Sequence, residues 1–320
     1  MQTFFVFNGD ADGLCGLQQL VLEEKPAAAE LVTGMKRRTE LVREVKAGAG
    51  DAVTVLDLSF QSNAAEVGRL LQAGARVRYF DHHHAGELPA HEGLEAHIDL
   101  APDVCTSVLV DRYLKGAQRR WAVAGAFGDN LDEAARRLAG EALVPQDEVQ
   151  LLARLGQALN YNAYGETEED LLFHPRELHL KIRPYRDPAE FAVSDPAFAR
   201  LWAGYQEDRA HAAVVKPAAV AGAAVLYVLP DAKWARRVNG VLANQLARTA
   251  PRRAHAVAVP TAGGTFMVSV RAPLERPKGA AALCLQFPSG GGREGAAGIN
   301  ALPAAELERF TAAFLAHFRA

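Results

Sequence analysis

The chain has 320 residues, 49% of them hydrophobic and 23% charged, with a formal net charge of -3 at pH 7. Those proportions belong to a folded globular protein and exclude disordered and collagen-like classes, and the length accommodates two domains. A surface built to grip long nucleic acid is usually basic over a large face, so the charge favours a small anionic substrate, and no long duplex partner is expected. No apolar run approaches the ~20 residues a membrane helix needs, and no membrane partner is expected. The first residues, Met1-Gln2-Thr3-Phe4-Phe5-Val6-Phe7, lack a basic region and are too short for a signal peptide. Cys15, Cys105 and Cys284 lie far apart without metal-ligand spacing and fit reduced thiols in a cytoplasmic protein. A homodimer is compatible with this composition.

In chain order, residues 4–7 predict a strand, followed by Asn8-Gly9-Asp10-Ala11-Asp12-Gly13 and a helix over 14–24. A short strand at 31–33 precedes Lys36-Arg37-Arg38. This basic group, with Arg119-Arg120, Arg236-Arg237 and Arg252-Arg253, reads mainly as solvated faces, with a phosphate role open for Lys36-Arg37-Arg38. A strand over 52–56 ends at Asp57, and a helix over 63–73 follows. The strand over 76–80 runs into Asp81-His82-His83-His84. A helix is expected over 104–114, and the apolar run 121–127 leads into Gly128-Asp129-Asn130, expected like the others to set its aspartate at a strand end. This strand–helix alternation implies an α/β fold with a doubly wound parallel sheet, in which ligands gather outside the carboxyl ends of the strands.

Helical patterns continue over 132–143 and 146–159, and Asn160-Tyr161-Asn162-Ala163-Tyr164-Gly165 breaks them. Prolines 175, 184, 188 and 196 then punctuate a segment read as a linker with helix, notably 196–213. The expected division is a domain over 1–160, the linker over 161–215 and a smaller α/β domain over 216–320. That last domain should hold strands at 223–229, 254–259 and 265–271, helices at 238–249, 280–286 and 304–318, and a glycine-rich loop at 289–298.

Two carboxylates in a glycine-flanked turn at Asp10 and Asp12 can face one cavity and suit hard cations such as Mn(II) or Mg(II). The same turn could equally cap the following helix. Asp57 alone reads first as a turn or cap carboxylate, and Asp129 as the cap of a helix at Leu131. A carboxylate beside imidazoles at Asp81-His82-His83 is a frequent metal arrangement. His84, His91 and His97 read as loop or structural residues. Gly290–Gly292 would let backbone N–H groups approach an anion without Cβ obstruction, with Arg271 and Arg293 beside them.

Together these motifs resemble the DHH phosphoesterase family. The matching residues are Asp10 and Asp12 in the first motif, Asp57 in the second, Asp81-His82-His83 in the third and Asp129 in the fourth. Ser289-Gly290-Gly291-Gly292-Arg293-Glu294-Gly295-Ala296-Ala297-Gly298 looks like the glycine motif of the DHH-associated C-terminal domain, and Val268-Ser269-Val270-Arg271 resembles its strand arginine. The resemblance spans nearly the whole chain and is weakest over 140–215. It implies a metal-binding catalytic domain, a substrate-binding C-terminal domain and two Mn(II) ions, with Mg(II) as the alternative.

By the same resemblance Asp57 bridges the two metals, with Asp10 on one and Asp12, His82 and Asp129 on the other. Asp57, His83 and Asp81 are then the catalytic candidates, His83 contacting phosphate or orienting the metal ligands and Asp81 fixing an imidazole. Arg271, Gly291, Gly292 and Arg293 are the substrate-binding candidates. Asn8 is a further candidate ligand, standing where many relatives carry His or Asp, and Arg293 stands where the glycine motif usually has His. The implied activity is hydrolysis of phosphoester bonds in short oligonucleotides or small nucleotides, like the nano-RNases that also dephosphorylate 3′-phosphoadenosine 5′-phosphate. Alternatives are a cyclic or linear dinucleotide phosphodiesterase, an exopolyphosphatase and a non-catalytic nucleotide-binding sensor.

Overall fold

The computed structural model describes residues 1–319, and the chain divides into two compact units. The first comprises Met1–Ala163 and Leu171–Ala203, the second Tyr164–Asp170 and Gly204–Ala320.

The first unit runs β1 (Thr3–Asn8), α1 (Ala11–Glu24), β2 (Glu30–Gly34), β3 (Ala52–Leu56), α2 (Phe60–Gln72), β4 (Arg76–Asp81) and β5 (Leu94–Ile98). Helices α3 (Thr106–Tyr113), α4 (Arg119–Gly128), α5 (Asp132–Glu141), α6 (Gln146–Asn162), α7 (Pro175–Ile182) and α8 (Pro188–Ser194) follow, and α9 (Pro196–Ala213) carries the chain onward. The five strands pair in the order β2-β1-β3-β4-β5, all parallel. Successive side chains of a strand face opposite ways, so a parallel sheet covered on both faces needs near-continuous apolar strands. In β1, Phe5 and Phe7 join a core with α1, α3, α4 and α6, while Phe4 and Val6 join a core with α2. Each such fully buried side chain contributes about 1.5–3 kcal/mol.

Residues 171–203 do not form a linker. Phe173, Leu178, Ile182, Phe191 and Leu201 are buried in the core that holds Phe5 and Phe7. The proline punctuation that reads as linker marks helix starts instead: Pro175 and Pro188 stand in the first turns of α7 and α8, where no N–H partner is lost.

The second unit holds β6 (Ala219–Ala221), β7 (Ala224–Val228), α10 (Lys233–Thr249), β8 (Ala254–Pro260), β9 (Thr265–Arg271), α11 (Ala280–Cys284), β10 (Gly290–Gly292), β11 (Ala296–Pro303) and α12 (Leu307–His317). Its sheet has the order β10-β11-β9-β8-β7-β6 and is mixed, with only β7 and β8 parallel. The expected glycine loop contains an edge strand: Gly290, Gly291 and Gly292 register with Ile299, Gly298 and Ala297. Glycine carries no side-chain period, so its strand is set by the partner rather than by local preference. Arg236 and Arg237 are not solvated either. Arg236 makes a two-point pair with Asp170 at 2.8 and 3.0 Å, and Arg237 one with Asp208 at 2.7 and 3.1 Å.

Candidate metal centre

In a parallel sheet of this order the chain leaves β1 toward one edge and returns beyond it at β3, so a crevice opens at the carboxyl ends of those two strands. Asp10 follows β1, Asp57 follows β3 and Asp81 ends β4. Asp57 has φ 57°, in the left-handed region a non-glycine residue seldom enters. Such strain, about 1–3 kcal/mol, persists because the surroundings hold the residue: its N–H donates to the Phe80 carbonyl at 3.0 Å. The carboxylate then lies 3.4 Å from His82 Nε2.

Asp10 caps α1, its Oδ1 accepting from the N–H groups of Asp12 at 3.0 Å and Gly13 at 3.1 Å. The helix therefore begins at Ala11, earlier than the expected residue 14. Capping and cation binding are not exclusive here, because the other oxygen, Oδ2, meets the Lys36 ammonium. Asp12 stands in the first turn of α1, and its two oxygens accept from Thr106 N and Ser107 N, each at 2.7 Å, in the first turn of α3. Two helix N-termini thus favour one carboxylate.

His82 donates from Nδ1 to the Val104 carbonyl at 3.1 Å, the pairing that leaves Nε2 as the open lone pair. Nε2 is 3.4 Å from Asp57, 3.8 Å from Asp129 and 3.9 Å from Asp12. Asp81 is fully buried. Its Oδ1 accepts from His82 N at 2.9 Å and His83 N at 3.2 Å and lies 2.7 Å from His83 Nδ1. Its Oδ2 accepts from Phe60 N at 3.2 Å. Asp81 thereby holds both the backbone and the ring of the His pair.

Asp129 does not follow a strand. The apolar run before it is α4, buried from Trp121 through Gly128, and Asp129 is its C-terminal cap. A short apolar run buried on every side has no period to separate helix from strand. Nor does Asp129 cap the next helix, since α5 begins at Asp132 behind Leu131.

Two ligand sets result, Asp57–His82–His83 and Asp12–His82–Asp129, each with one donor atom per residue and all three atoms within 4.8 Å. Burial, reinforced by the charges of Asp10 and Asp12, pushes the Asp57 carboxyl well above the usual range. Burial also raises Asp129, although Lys36 and His82 oppose it. Burial acts upward on Asp10 too, but the Lys36 ammonium and the Gly13 N–H outweigh it and hold that group low. Burial disfavours the His83 cation, yet its bond to Asp81 and the charge of Asp57 raise its pKa. Four carboxylates, an imidazole with an open lone pair and a second imidazole fit a hard divalent cation. Cys15 and Cys105 lie nearby, but burial pushes both thiols far up, so neither supplies a thiolate.

A pH dependence follows. A carboxyl raised in the fold stabilises it below the ordinary pKa, and that contribution is lost as pH rises through the raised value. Metal-free protein is therefore destabilised by ionised Asp57 and Asp129, and a bound cation displaces their protons. Mn(II) should bind more tightly, and raise the Tm more, at about pH 7.5 than at about pH 5.5. Calorimetric titration at both values checks this, and equal affinity would count against it.

The structure thus brings together Asp10, Asp12, Asp57, His82, His83 and Asp129, with Asp81 behind the His pair. Asn8, at the end of β1, is buried; its Nδ2 donates to the Lys36 carbonyl at 3.4 Å and its Oδ1 has no partner. Arg271, Gly291, Gly292 and Arg293 all belong to the second unit. Partly buried Arg271 donates to Asn244 Oδ1 at 2.6 Å and to the Val270 carbonyl at 2.9 Å, and burial pushes its guanidinium pKa down. No carboxylate among the described residues pairs with it. Exposed Arg293 begins the turn between β10 and β11. Sequence reasoning left Lys36 and the segment 160–164 uncommitted and did not find Thr106 and Ser107. Lys36 carried a signal in its place just after a strand, and Asn160 in its place where the helical pattern breaks.

No protein-family model matches the chain, and no curated protein matches it. Solved structures do. Exonuclease RecJ bound to manganese matches with a TM-score of 0.62 and 19% identity, over 98% of this chain and 89% of that one. RecJ in complex with Mn2+ from Thermus thermophilus matches with a TM-score of 0.66 and 21% identity over 98% of this chain, which spans 51% of that one. A pGpG-specific phosphodiesterase from Vibrio cholerae matches with a TM-score of 0.53 and 13% identity, over 99% of this chain and 98% of that one. The chain therefore shares the fold of the RecJ exonucleases and of the pGpG-specific phosphodiesterase.

Proposed function

We propose that the chain is a metal-dependent phosphoesterase that hydrolyses short oligonucleotides or small nucleotides, with Mn(II) or Mg(II) as cofactor. The observation that carries this reading is the convergence of Asp12, Asp57, His82, His83 and Asp129 at the carboxyl end of the parallel sheet. When bound there, a divalent cation supplies Lewis acidity, acidifying an attacking water and drawing charge from the phosphoryl group. The chain's own residues do the rest. Asp57, Asp12 and Asp129 hold the cation, and the Val104 carbonyl keeps His82 Nε2 turned toward it. Asp81 keeps His83 oriented and favours its cationic form, which suits a contact to a phosphoryl oxygen. No protein nucleophile is required, in keeping with the inert thiols.

The second unit supplies an anion-binding set. A half-buried guanidinium without a carboxylate partner is suited to an anion, and Arg271 is such a group. With Gly291, Gly292 and Arg293 it forms the substrate-binding set proposed for this unit. The ladder with β11 occupies some of the glycine N–H groups, which moves weight from the backbone to the two arginines. Arg271→Gln and Arg293→Ala are each expected to raise KM by roughly 10–100-fold, the scale of one charged hydrogen bond, with kcat changed far less. Steady-state kinetics on the best substrate checks this.

Turnover of a bis-aryl phosphate with added Mn(II) against a chelator control tests the activity. A panel of short RNA, a 3′,5′-bisphosphate nucleotide, linear and cyclic dinucleotides and polyphosphate, each with Mn(II) and Mg(II), then selects the substrate. Absence of metal-dependent turnover on every compound sinks the enzyme reading and leaves a nucleotide-binding sensor. Linear dinucleotides are the second reading, favoured by the near-complete mutual coverage with the pGpG-specific phosphodiesterase.

A further inference from the structure

Lys36 follows β2, the strand beside β1. Its backbone is pinned on both sides: its N–H donates to the Ala163 carbonyl at 3.0 Å, and its own carbonyl accepts from Asn8 Nδ2 at 3.4 Å. Its ammonium bonds to Asp10 Oδ2, lies 3.1 Å from Asn160 Oδ1 and 3.9 Å from Asp129 Oδ1. Three oxygens from the cap of α1, the end of α6 and the cap of α4 thus surround one positive nitrogen with three donors. Both ligand sets use His82, and neither includes Asp10. Asn8 contributes to this corner only a neutral amide, whose N–H is committed to Lys36.

We propose that Lys36 is a built-in monovalent cation that takes the place of one divalent ion, so that the centre works with a single metal ion. That ion is held by Asp12, Asp57, His82 and Asp129, and Lys36 neutralises Asp10. An ion ligated by Asp10 Oδ2 would have to share that oxygen with the ammonium, and the two like charges would repel at close range. This inference rests on the metal-dependent reading above and narrows it.

The test is Mn(II) stoichiometry on full-length, metal-free protein without substrate, read by calorimetry and by Mn(II) electron paramagnetic resonance. The intact chain should take one tight equivalent with the signal of an isolated ion, any second equivalent binding at least about 100-fold more weakly. Lys36→Met frees Asp10 and leaves it beside the unpartnered Asn8 Oδ1, so it should gain a second equivalent and show spin coupling between the ions. Lys36→Gln gives an independent second neutral variant, and Lys36→Arg should stay at one. Two equivalents of similar affinity in the intact chain, or one equivalent in both neutral variants, overturns the inference and leaves the phosphoesterase reading standing. No tight equivalent in the intact, folded chain overturns both.

Discussion

Asp57→Asn is expected to lower metal-dependent phosphoester hydrolysis by roughly a thousandfold or more, because on the proposed reading it removes a charge on which both cation and transition state would depend. Asp57 carries the strain, stands closest to His82 Nε2 among the carboxylates and feels the charges of Asp10 and Asp12. Asparagine keeps the size and tolerates left-handed backbone, so the change isolates the charge. The metal-free fold should then be as stable as before or more so, since a buried charge repelled by two neighbours has gone. Turnover with Mn(II), and the Tm with chelator present, check the two halves. Activity near that of the intact chain refutes the role of Asp57. A large drop in metal-free Tm shows instead that the carboxylate props the fold. Asp57→Ala should lose activity equally but also lose stability, because alanine fits φ 57° poorly.

Gly128→Ala is expected to cost about 1–3 kcal/mol of stability through overpacking and to weaken Mn(II) binding by roughly 10–100-fold, the scale seen when residues that orient ligands are disturbed. Gly128 is the last residue of α4. A Cβ there would stand 2.2 Å from the Ala11 Cβ and 2.8 Å from the Gly156 carbonyl oxygen. Ala11 separates Asp10 from Asp12, so the absence of a side chain at 128 is what lets Asp129 approach both. A methyl group would push α4 away from α1 and carry Asp129 with it. Gly140→Ala is the control. Nothing stands within 4 Å of that Cβ, and an exposed helix gains about 0.5–1 kcal/mol from the exchange. Thermal melts of both variants, with a Mn(II) titration of each, separate the steric effect from a general intolerance of alanine. Normal Mn(II) affinity in Gly128→Ala defeats the positioning argument.

The two substitutions probe different levels of one design. On the proposed reading Asp57 takes part in the chemistry, whereas Gly128 would act only through the distance between two helices. Lys36 would belong to neither class, since it would supply charge and no metal coordination. Its ammonium holds Asp10 low, whereas at Asp57 and Asp129 burial prevails over its pull and raises both.

The parallel first sheet and most residues of the candidate centre were legible in the chain before folding. The apolar runs of β1 and β3 and the run Val77 to Phe80 of β4, with Arg78 within it, are local signals, and Asp10, Asp12, Asp57, Asp81, His82 and His83 sit at or immediately after their ends, where parallel sheets gather ligands. Other features depended on packing between distant segments. Whether residues 121–127 were helix or strand depended on burial from all sides. The capping of α3 by Asp12 joins residues 95 apart, and the bond from Lys36 to Asn160 joins residues 124 apart. Residues 171–203 became core rather than linker only by packing against Phe5 and Phe7. A short local window carries periodicity and turn chemistry, but it carries no record of which distant group will meet a given charge once the chain has closed.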